Sequence, residues 1–183
     1  MFHDFNVDTG ERVLFYRLSG MPEGSQLTHV DETGAARMVD VSAKTVSARR
    51  AVATGWVRTT AEVVDLLSAN DLPKGDALAV SRLAGIMGAK RTPDLIPLCH
   101  PIGLHGVTVD LELQANAVKI TATAKTADRT GVEMEALTAV ATAGLALIDM
   151  IKAVDPAASL DAVRVLRKEG GKTGDWVRPK DRP

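Results

Sequence analysis

Two alternating apolar runs, followed by a long stretch without proline, constrain this chain more than any other feature. Val107, Val109, Leu111 and Leu113 alternate with Thr108, Asp110, Glu112 and Gln114. Val118, Ile120, Ala122 and Ala124 repeat the pattern beyond Ala115-Asn116-Ala117. A period of two predicts a hairpin with one apolar face. Such a face has to be covered by another layer. The next segment can supply the cover. From Glu133 to Val154 no proline occurs, and Asp155-Pro156 closes the run. A helix of about 20 residues fits there, about 30 Å long.

The flanking segments complete the layers. Arg37 to Val41 reads as a strand or a strand-like arm, and Arg50 to Thr59 as a second strand. Thr59-Thr60 can cap a helix over Ala61 to Ser68. After the loop Asn70 to Asp76, a second helix is predicted from Ala77 to Lys90. Thr92 to Gly106, with three prolines and two histidines, is expected to be irregular. A last strand is predicted over Asp161 to Leu166. Strands paired by hairpins, with helices on one face, give an α+β sandwich.

Six aromatic residues serve the whole chain, and four of them (Phe2, Phe5, Phe15, Tyr16) lie in the first 16 residues. The core of the remainder must therefore be built from Ala, Val, Leu, Ile and Met, and stacking platforms for single-stranded nucleic acid are lacking. The same shift sets residues 1–25 apart, with Met21-Pro22-Glu23-Gly24-Ser25 as a linker. They read as an extension or tail, or else as an edge strand over Arg12 to Leu18. Residues 26–178 then form a single domain, with 179–183 as a C-terminal tail. Twenty-two Lys and Arg against 23 Asp and Glu leave a net charge of −1, so no general nucleic-acid binder is expected. No apolar run long enough for a membrane span is expected, nor a signal peptide. The single cysteine, Cys99, allows no internal disulfide and suits a cytoplasmic setting.

The long helix carries the first chemical candidates. At about 100° per residue, Leu137, Val140, Gly144, Leu147, Ile148 and Ile151 fall in one stripe, and Glu135, Thr138, Thr142, Asp149 and Lys152 fall opposite. The polar stripe is either a solvated face or a site. No charge lies between Glu135 and Asp149, and the middle is made of Ala and Gly, which suits close packing. Asp149 and Lys152, three apart, can pair, either as a structural ion pair or as an acid/base couple. Glu133 and Glu135 share a face only if their segment is extended, and Glu133 can otherwise act from the first turn. His100, in Pro97-Leu98-Cys99-His100-Pro101, is held between prolines. It is either structural or a site residue, and the spacing of Cys99, His100 and His105 makes a poor metal motif.

Cations gather in loops: Lys44 and Arg49, Lys74, Lys90-Arg91, and Lys168 with Lys172 around Gly170-Gly171. They are ordinary surface lysines, or they converge on a phosphate group. Gly171-Lys172-Thr173 mimics the end of a P-loop, but Leu166 stands where that motif needs glycine. No dinucleotide fingerprint precedes a helix.

Several blocks together resemble the MoaC family of cyclic pyranopterin monophosphate synthases. They are Met38-Val39-Asp40-Val41-Ser42-Ala43-Lys44, Lys74-Gly75-Asp76, Asp94-Leu95-Ile96-Pro97-Leu98-Cys99-His100-Pro101, Thr130-Gly131-Val132-Glu133-Met134-Glu135-Ala136-Leu137, Asp149-Met150 with Lys152, and Gly170-Gly171-Lys172. The resemblance runs from about Leu27 to Asp175. It implies a ferredoxin-like α+β fold and a phosphorus–oxygen lyase of molybdenum cofactor biosynthesis. The implied reaction converts a 3′,8-cyclised dihydro-GTP to cyclic pyranopterin monophosphate and releases pyrophosphate. It implies Asp149 and Lys152 as catalytic residues. It implies that Leu98, Cys99, His100, Met134 and Glu135 line the substrate pocket and that Arg49, Lys74, Lys90, Glu133, Lys168 and Lys172 complete it. It implies a hexamer, a trimer of dimers with sites between subunits. No dedicated cofactor or metal site is expected, with Mg2+ allowed on the substrate phosphates. The rival reading is a non-catalytic nucleotide-binding or assembly module on the same fold, which would not need the Asp149–Lys152 pair.

Overall fold

The computed structural model describes residues 35–172 and 174–180. The expectations for residues 1–25 lie outside the described residues. The elements are β1 (Ser47–Arg58), α1 (Ala61–Ala69), α2 (Ala77–Lys90), α3 (Thr92–Leu95), β2 (Leu104–Gln114), β3 (Ala117–Asp128), α4 (Glu133–Ile151), β4 (Ser159–Glu169) and β5 (Trp176–Val177). The sheet is antiparallel with order β2-β3-β1-β4-β5. Two split β-α-β units around a central β1/β3 pair make this a ferredoxin-like α+β fold.

The alternation read from sequence sets the layers. Val107, Val109, Leu111 and Leu113 pair in register with Ala124, Ala122, Ile120 and Val118. The four β3 partners are fully buried beneath the helices. On β1, Ala51, Ala53 and Val57 join the same face. α4 lies across it with Ala136, Ala139, Val140, Ala143 and Leu147 fully buried. The core is thus built largely of small residues, and the two layers sit close. Gly55 shows how close: a Cβ there would come within 2.8 Å of Val140 Cγ1. α2 packs beside α4 through Gly85, where a Cβ would stand 2.9 Å from the Ala139 carbonyl oxygen.

Local chemistry fixes the helix ends. Thr60 accepts from the Val63 N–H at the start of α1, and Asp76 accepts from the Ala79 N–H at 2.9 Å at the start of α2. α1 ends at Asn70, which adopts the left-handed conformation suited to a C-cap.

Several expectations need correction. Of the two readings of Arg37 to Val41 the strand falls and the arm holds, because the segment has no strand pairing and its Val39 carbonyl bonds the His100 side chain instead. β1 begins at Ser47 and β4 spans Ser159–Glu169, both longer than predicted, since edge polar residues continue the pairing past the apolar alternation. α4 stops at Ile151, short of Val154. Thr92–Leu95 makes one helical turn within the segment expected to be irregular, with Pro93 in its first turn, where no N–H is needed. The two-residue β5 was not foreseen. α4 is also apolar enough, over a window of mean hydropathy 1.6, to pass as a membrane span, contrary to expectation. Its place between sheet and α2 accounts for that composition.

Candidate active site

The N-terminal end of α4 opens into a cleft of about 400 Å³. Three segments wall it: the arm through Val39, Val41 and Lys44, the loop Leu98-Cys99-His100, and the turn Thr130-Gly131 running into Glu133, Met134 and Glu135. Glu133 is already helical, yet it and Glu135 both face this cleft. The requirement for an extended segment is therefore corrected: residues of a first turn look out past the helix end as well as sideways.

Each cleft group is held in a particular state. His100 Nε2 lies 2.7 Å from the Val39 carbonyl oxygen. A carbonyl can only accept, so Nε2 carries the proton, and in the neutral ring Nδ1 is left as the base. Glu135 is 3% exposed. Burial, with the charge of Glu133 adding to it, pushes its carboxyl up to about 7, although a backbone hydrogen bond opposes the shift. Burial, reinforced by Glu135, also raises the Cys99 thiol, so this cysteine is a neutral wall and not a thiolate.

Cations continue the cleft along the sheet end. Lys168 Nζ lies 3.5 Å from Glu133 Oε1. Lys168 shares a pocket of about 170 Å³ with Arg49, Arg50 and Glu133. A third hollow of about 550 Å³ is bounded by Lys44, Ser47, Arg49 and Lys172. Arg49 belongs to both hollows, and carbonyl oxygens fix it: Nε donates to Asp128 at 2.9 Å and Nη2 to Arg129 at 3.0 Å. Gly170 and Gly171 both have positive φ, and a Cβ on either would collide, with the Ala48 carbonyl or with the Arg49 guanidinium respectively. The two glycines let the strand end bend around Arg49 and present Lys172.

The C-terminal end of α4 carries a separate cluster. Lys152 Nζ is 2.7 Å from Asp149 Oδ1, and Lys74 Nζ is 3.0 Å from Asp149 Oδ2 and 2.6 Å from the Asp149 carbonyl oxygen. The Asp149 side chain is 57% exposed. Hydrogen bonds and charge from Lys152 and then Lys74 hold its carboxyl below the usual range. Such an exposed pair contributes little to stability.

The predicted site residues therefore divide. Leu98, Cys99, His100, Glu133, Met134, Glu135, Arg49, Lys168 and Lys172 gather at one end of α4. Asp149, Lys152 and Lys74 gather at the other, 14 residues or about 21 Å along the helix from Glu135. Lys90 ends α2 with its side chain exposed and lines none of these hollows. Lys44, read from the sequence as one of the loop cations, is a wall of the cleft; sequence reasoning missed Arg129, whose Nε donates to the Lys44 carbonyl at 3.1 Å and so pins the arm. Lys44 was visible at the end of the Val39-Asp40-Val41 block, but nothing in the sequence pointed to Arg129. The polar stripe of α4 is likewise split, because Glu135 and Thr138 are buried whereas Asp149 and Lys152 are exposed. Among the described residues, no group of three or more His, Cys, Asp or Glu is placed to hold a metal ion.

A recessed cleft joining a titratable carboxyl, an oriented imidazole and a run of cations defines a site for a small anionic molecule on a ferredoxin-like scaffold. The MoaC family pattern matches residues 38–171, and the chain belongs to the MoaC family. It is similar to the cyclic pyranopterin monophosphate synthase of Streptomyces coelicolor, at 61% identity over 160 residues, covering 87% of this chain and 94% of that protein. The protein of that name from Streptomyces avermitilis is 62% identical over 159 residues, covering 87% of this chain and 94% of its own length. A Mycobacterium tuberculosis protein named cyclic pyranopterin monophosphate synthase 2 is 58% identical over 164 residues, covering 88% of this chain and 98% of that protein.

Proposed function

We propose that the chain is a cyclic pyranopterin monophosphate synthase of molybdenum cofactor biosynthesis. The observation that carries this is the 61% identity to a protein of that name along 94% of its length. The substrate is the 3′,8-cyclised dihydro-GTP, the product is cyclic pyranopterin monophosphate, and pyrophosphate leaves, which makes the enzyme a phosphorus–oxygen lyase. A GTP-derived substrate and a lone cysteine support a cytoplasmic setting for this work.

The geometry supports a division of labour. The cleft at Leu98, Cys99, His100, Met134 and Glu135 takes the ring system, with Glu135 near neutrality able to give or take a proton. Arg49, Lys168 and Lys172, joined by Lys44, face the triphosphate and the charge that develops as pyrophosphate departs. Asp149, kept ionised by Lys152 and Lys74, is the base, and Lys152 is the paired acid. No dedicated cofactor enters this scheme, and Mg2+ could ride on the substrate phosphates. Residues 1–25 stand outside the catalytic unit, and their deletion is expected to leave turnover intact.

The two clusters lie too far apart to serve one substrate from one chain. Between them the helix layer exposes Val80, Leu83 and Met87 on α2 and Leu145 on α4. Packing two copies about a two-fold axis through the middle of α4 would set each Asp149 against the partner's Glu135 end. Sites between subunits, in a hexamer built as a trimer of dimers, follow from this reading. The test is mixed complementation. Asp149→Asn and His100→Ala chains should each fail to turn over the cyclised GTP, and co-assembly at equal amounts should restore about a quarter of wild-type turnover, since random pairing makes half the dimers mixed and half the sites in a mixed dimer are intact. No restoration would refute the composite site. A wild-type protein that binds the substrate without turning it over would favour the assembly-module reading instead.

A further inference from the structure

The arm that walls the cleft holds its own shape but is tied to the body at few points. Asp40 Oδ1 accepts from the Ser42 N–H at 2.8 Å, and the Lys44 N–H donates to the Val41 carbonyl at 3.0 Å, so Asp40 to Lys44 turns on itself. Met38 and Val46, on either side, are 51% and 57% exposed, so apolar burial does little to anchor the flanks. Among the described residues, the hydrogen bonds that hold the arm to the body are His100 Nε2 to the Val39 carbonyl at 2.7 Å and Arg129 Nε to the Lys44 carbonyl at 3.1 Å. His100 is a wall of the cleft, whereas Arg129 lines none of these hollows.

The end of the arm that Arg129 holds is the one that matters for charge. Lys44 is the residue that the cleft of about 400 Å³ and the hollow of about 550 Å³ share. Its ammonium stands where the ring system and the phosphates of one substrate would join. Arg129 also serves the phosphate side through its backbone. Its carbonyl accepts from Arg49 Nη2 at 3.0 Å, next to the Asp128 carbonyl that accepts from Arg49 Nε at 2.9 Å. Asp128 Oδ1 accepts from the Arg129 N–H at 2.7 Å, which fixes the turn where β3 ends. The two roles come apart under substitution. Any residue at position 129 keeps a carbonyl for Arg49, but only a side chain with a donor can reach the Lys44 carbonyl.

We propose that Arg129 is a positioning residue for substrate binding, a latch that fixes the arm and so sets Lys44 at the junction of ring cleft and phosphate hollow. The proposal rests on the reading of the site as one for a GTP-derived substrate. Arg129 is exposed, and its guanidinium is spent on a carbonyl and not on a carboxylate. A segment with few buried apolar contacts opens locally without the fold opening. Without the latch, Lys44 would have to be ordered when the substrate arrives, and that entropy cost falls on binding. Glu135 and Asp149 both lie on α4, outside the arm, so the proton transfers should be spared.

The test compares Arg129→Met, which has no donor, with Arg129→Lys, which keeps one, in the full chain. Arg129→Met should raise KM for the cyclised GTP by about three- to tenfold, the range of one ordinary hydrogen bond, with kcat within about twofold of wild type. Arg129→Lys should bring KM back towards the wild-type value. Lys44→Met should raise KM by itself, and adding Arg129→Met to it should change little more, because both act through one ammonium. Trypsin reads the arm without any substrate. Cleavage after Lys44, followed by mass spectrometry, should quicken in Arg129→Met and slow again in Arg129→Lys. An unchanged cleavage rate would overturn the latch, and an unchanged KM would overturn its role in binding. Effects of Arg129→Met and Lys44→Met that multiply would make Arg129 a direct phosphate contact, and a large fall in the melting temperature of Arg129→Met would make it a structural residue; either would overturn the proposal. A wild type that cannot turn over the cyclised GTP would sink the functional reading, and the cleavage rates would still decide the latch.

Discussion

Glu135 and Asp149 are two carboxylates on one helix, and their surroundings tune them in opposite directions. At the N-terminal end, Glu135 is buried with an acid for a neighbour, and its carboxyl rises to about 7. At the C-terminal end, Asp149 is open to solvent between two lysines, and its carboxyl falls below the usual range. The helix termini oppose this ordering, because an N-terminus favours negative charge and a C-terminus disfavours it. Burial at one end and paired ammonium groups at the other outweigh the helix itself. Groups pushed apart in this way divide naturally into a proton carrier that changes state near neutrality and a base that stays ionised.

The largest expected effect comes from erasing the charge at the exposed end. Asp149→Asn keeps the shape and removes the carboxylate proposed as the base, so single-turnover rates should fall by about 10² or more. The melting temperature should hardly move, because the pair is exposed. Lys152→Met should behave alike. A normal rate in either variant would remove that residue from the mechanism. A large loss of stability in Asp149→Asn would show that Asp149 and its two lysines hold the fold together.

Next in size is the buried end. Glu135→Gln should lower turnover by about tenfold and abolish the pH–rate limb near 7. It should also change the stability profile. The folded pKa of Glu135 is raised, so its favourable contribution is full below the ordinary glutamate value of 4.5 and is lost as pH rises through about 7. The wild type should therefore lose up to about 3 kcal/mol relative to the glutamine variant across that window. Melting curves of both proteins at pH 4, 6 and 8 would check it, and parallel curves would mean that Glu135 is not strained by ionisation.

This contrast was only half legible in the sequence. Period-two alternation gave the β2–β3 hairpin and its buried face, and Asp76 with Lys90 marked both ends of α2. Helical periodicity put Glu135 and Asp149 on one stripe correctly. It carries no information about depth, which depends on the loop and helix packed over each turn. The arm at Arg37 to Val41 alternates as a strand does, but its hydrogen bonding goes to His100, a partner that only the tertiary fold supplies. The site residues were found through family blocks. Their separation along α4 followed from the helix length, once Glu135 and Asp149 were both placed on it.

A subtler test separates the two sets of lysines. Lys74 bonds Asp149 directly, so Lys74→Ala should act mainly on the rate, by about tenfold, and its effect should depend little on salt at so short a contact.

The smallest expected effect belongs to the cations of the other end. Lys168 is partly exposed and faces a hollow shared with Arg49. Its attraction for a triphosphate acts through solvent and is screened. The screening length is about 30 Å at 0.01 M salt and about 10 Å at 0.1 M. Lys168→Ala should therefore raise KM several-fold at low ionic strength and less than about twofold at high ionic strength, with kcat nearly unchanged. Removing Lys168 also frees Glu133, whose charge is one cause of the raised Glu135 pKa. The pH–rate limb should then move upward, because Glu133 loses its counter-ion beside Glu135. A salt-independent KM with an unmoved limb would place Lys168 outside both the phosphate path and the carboxylate cluster.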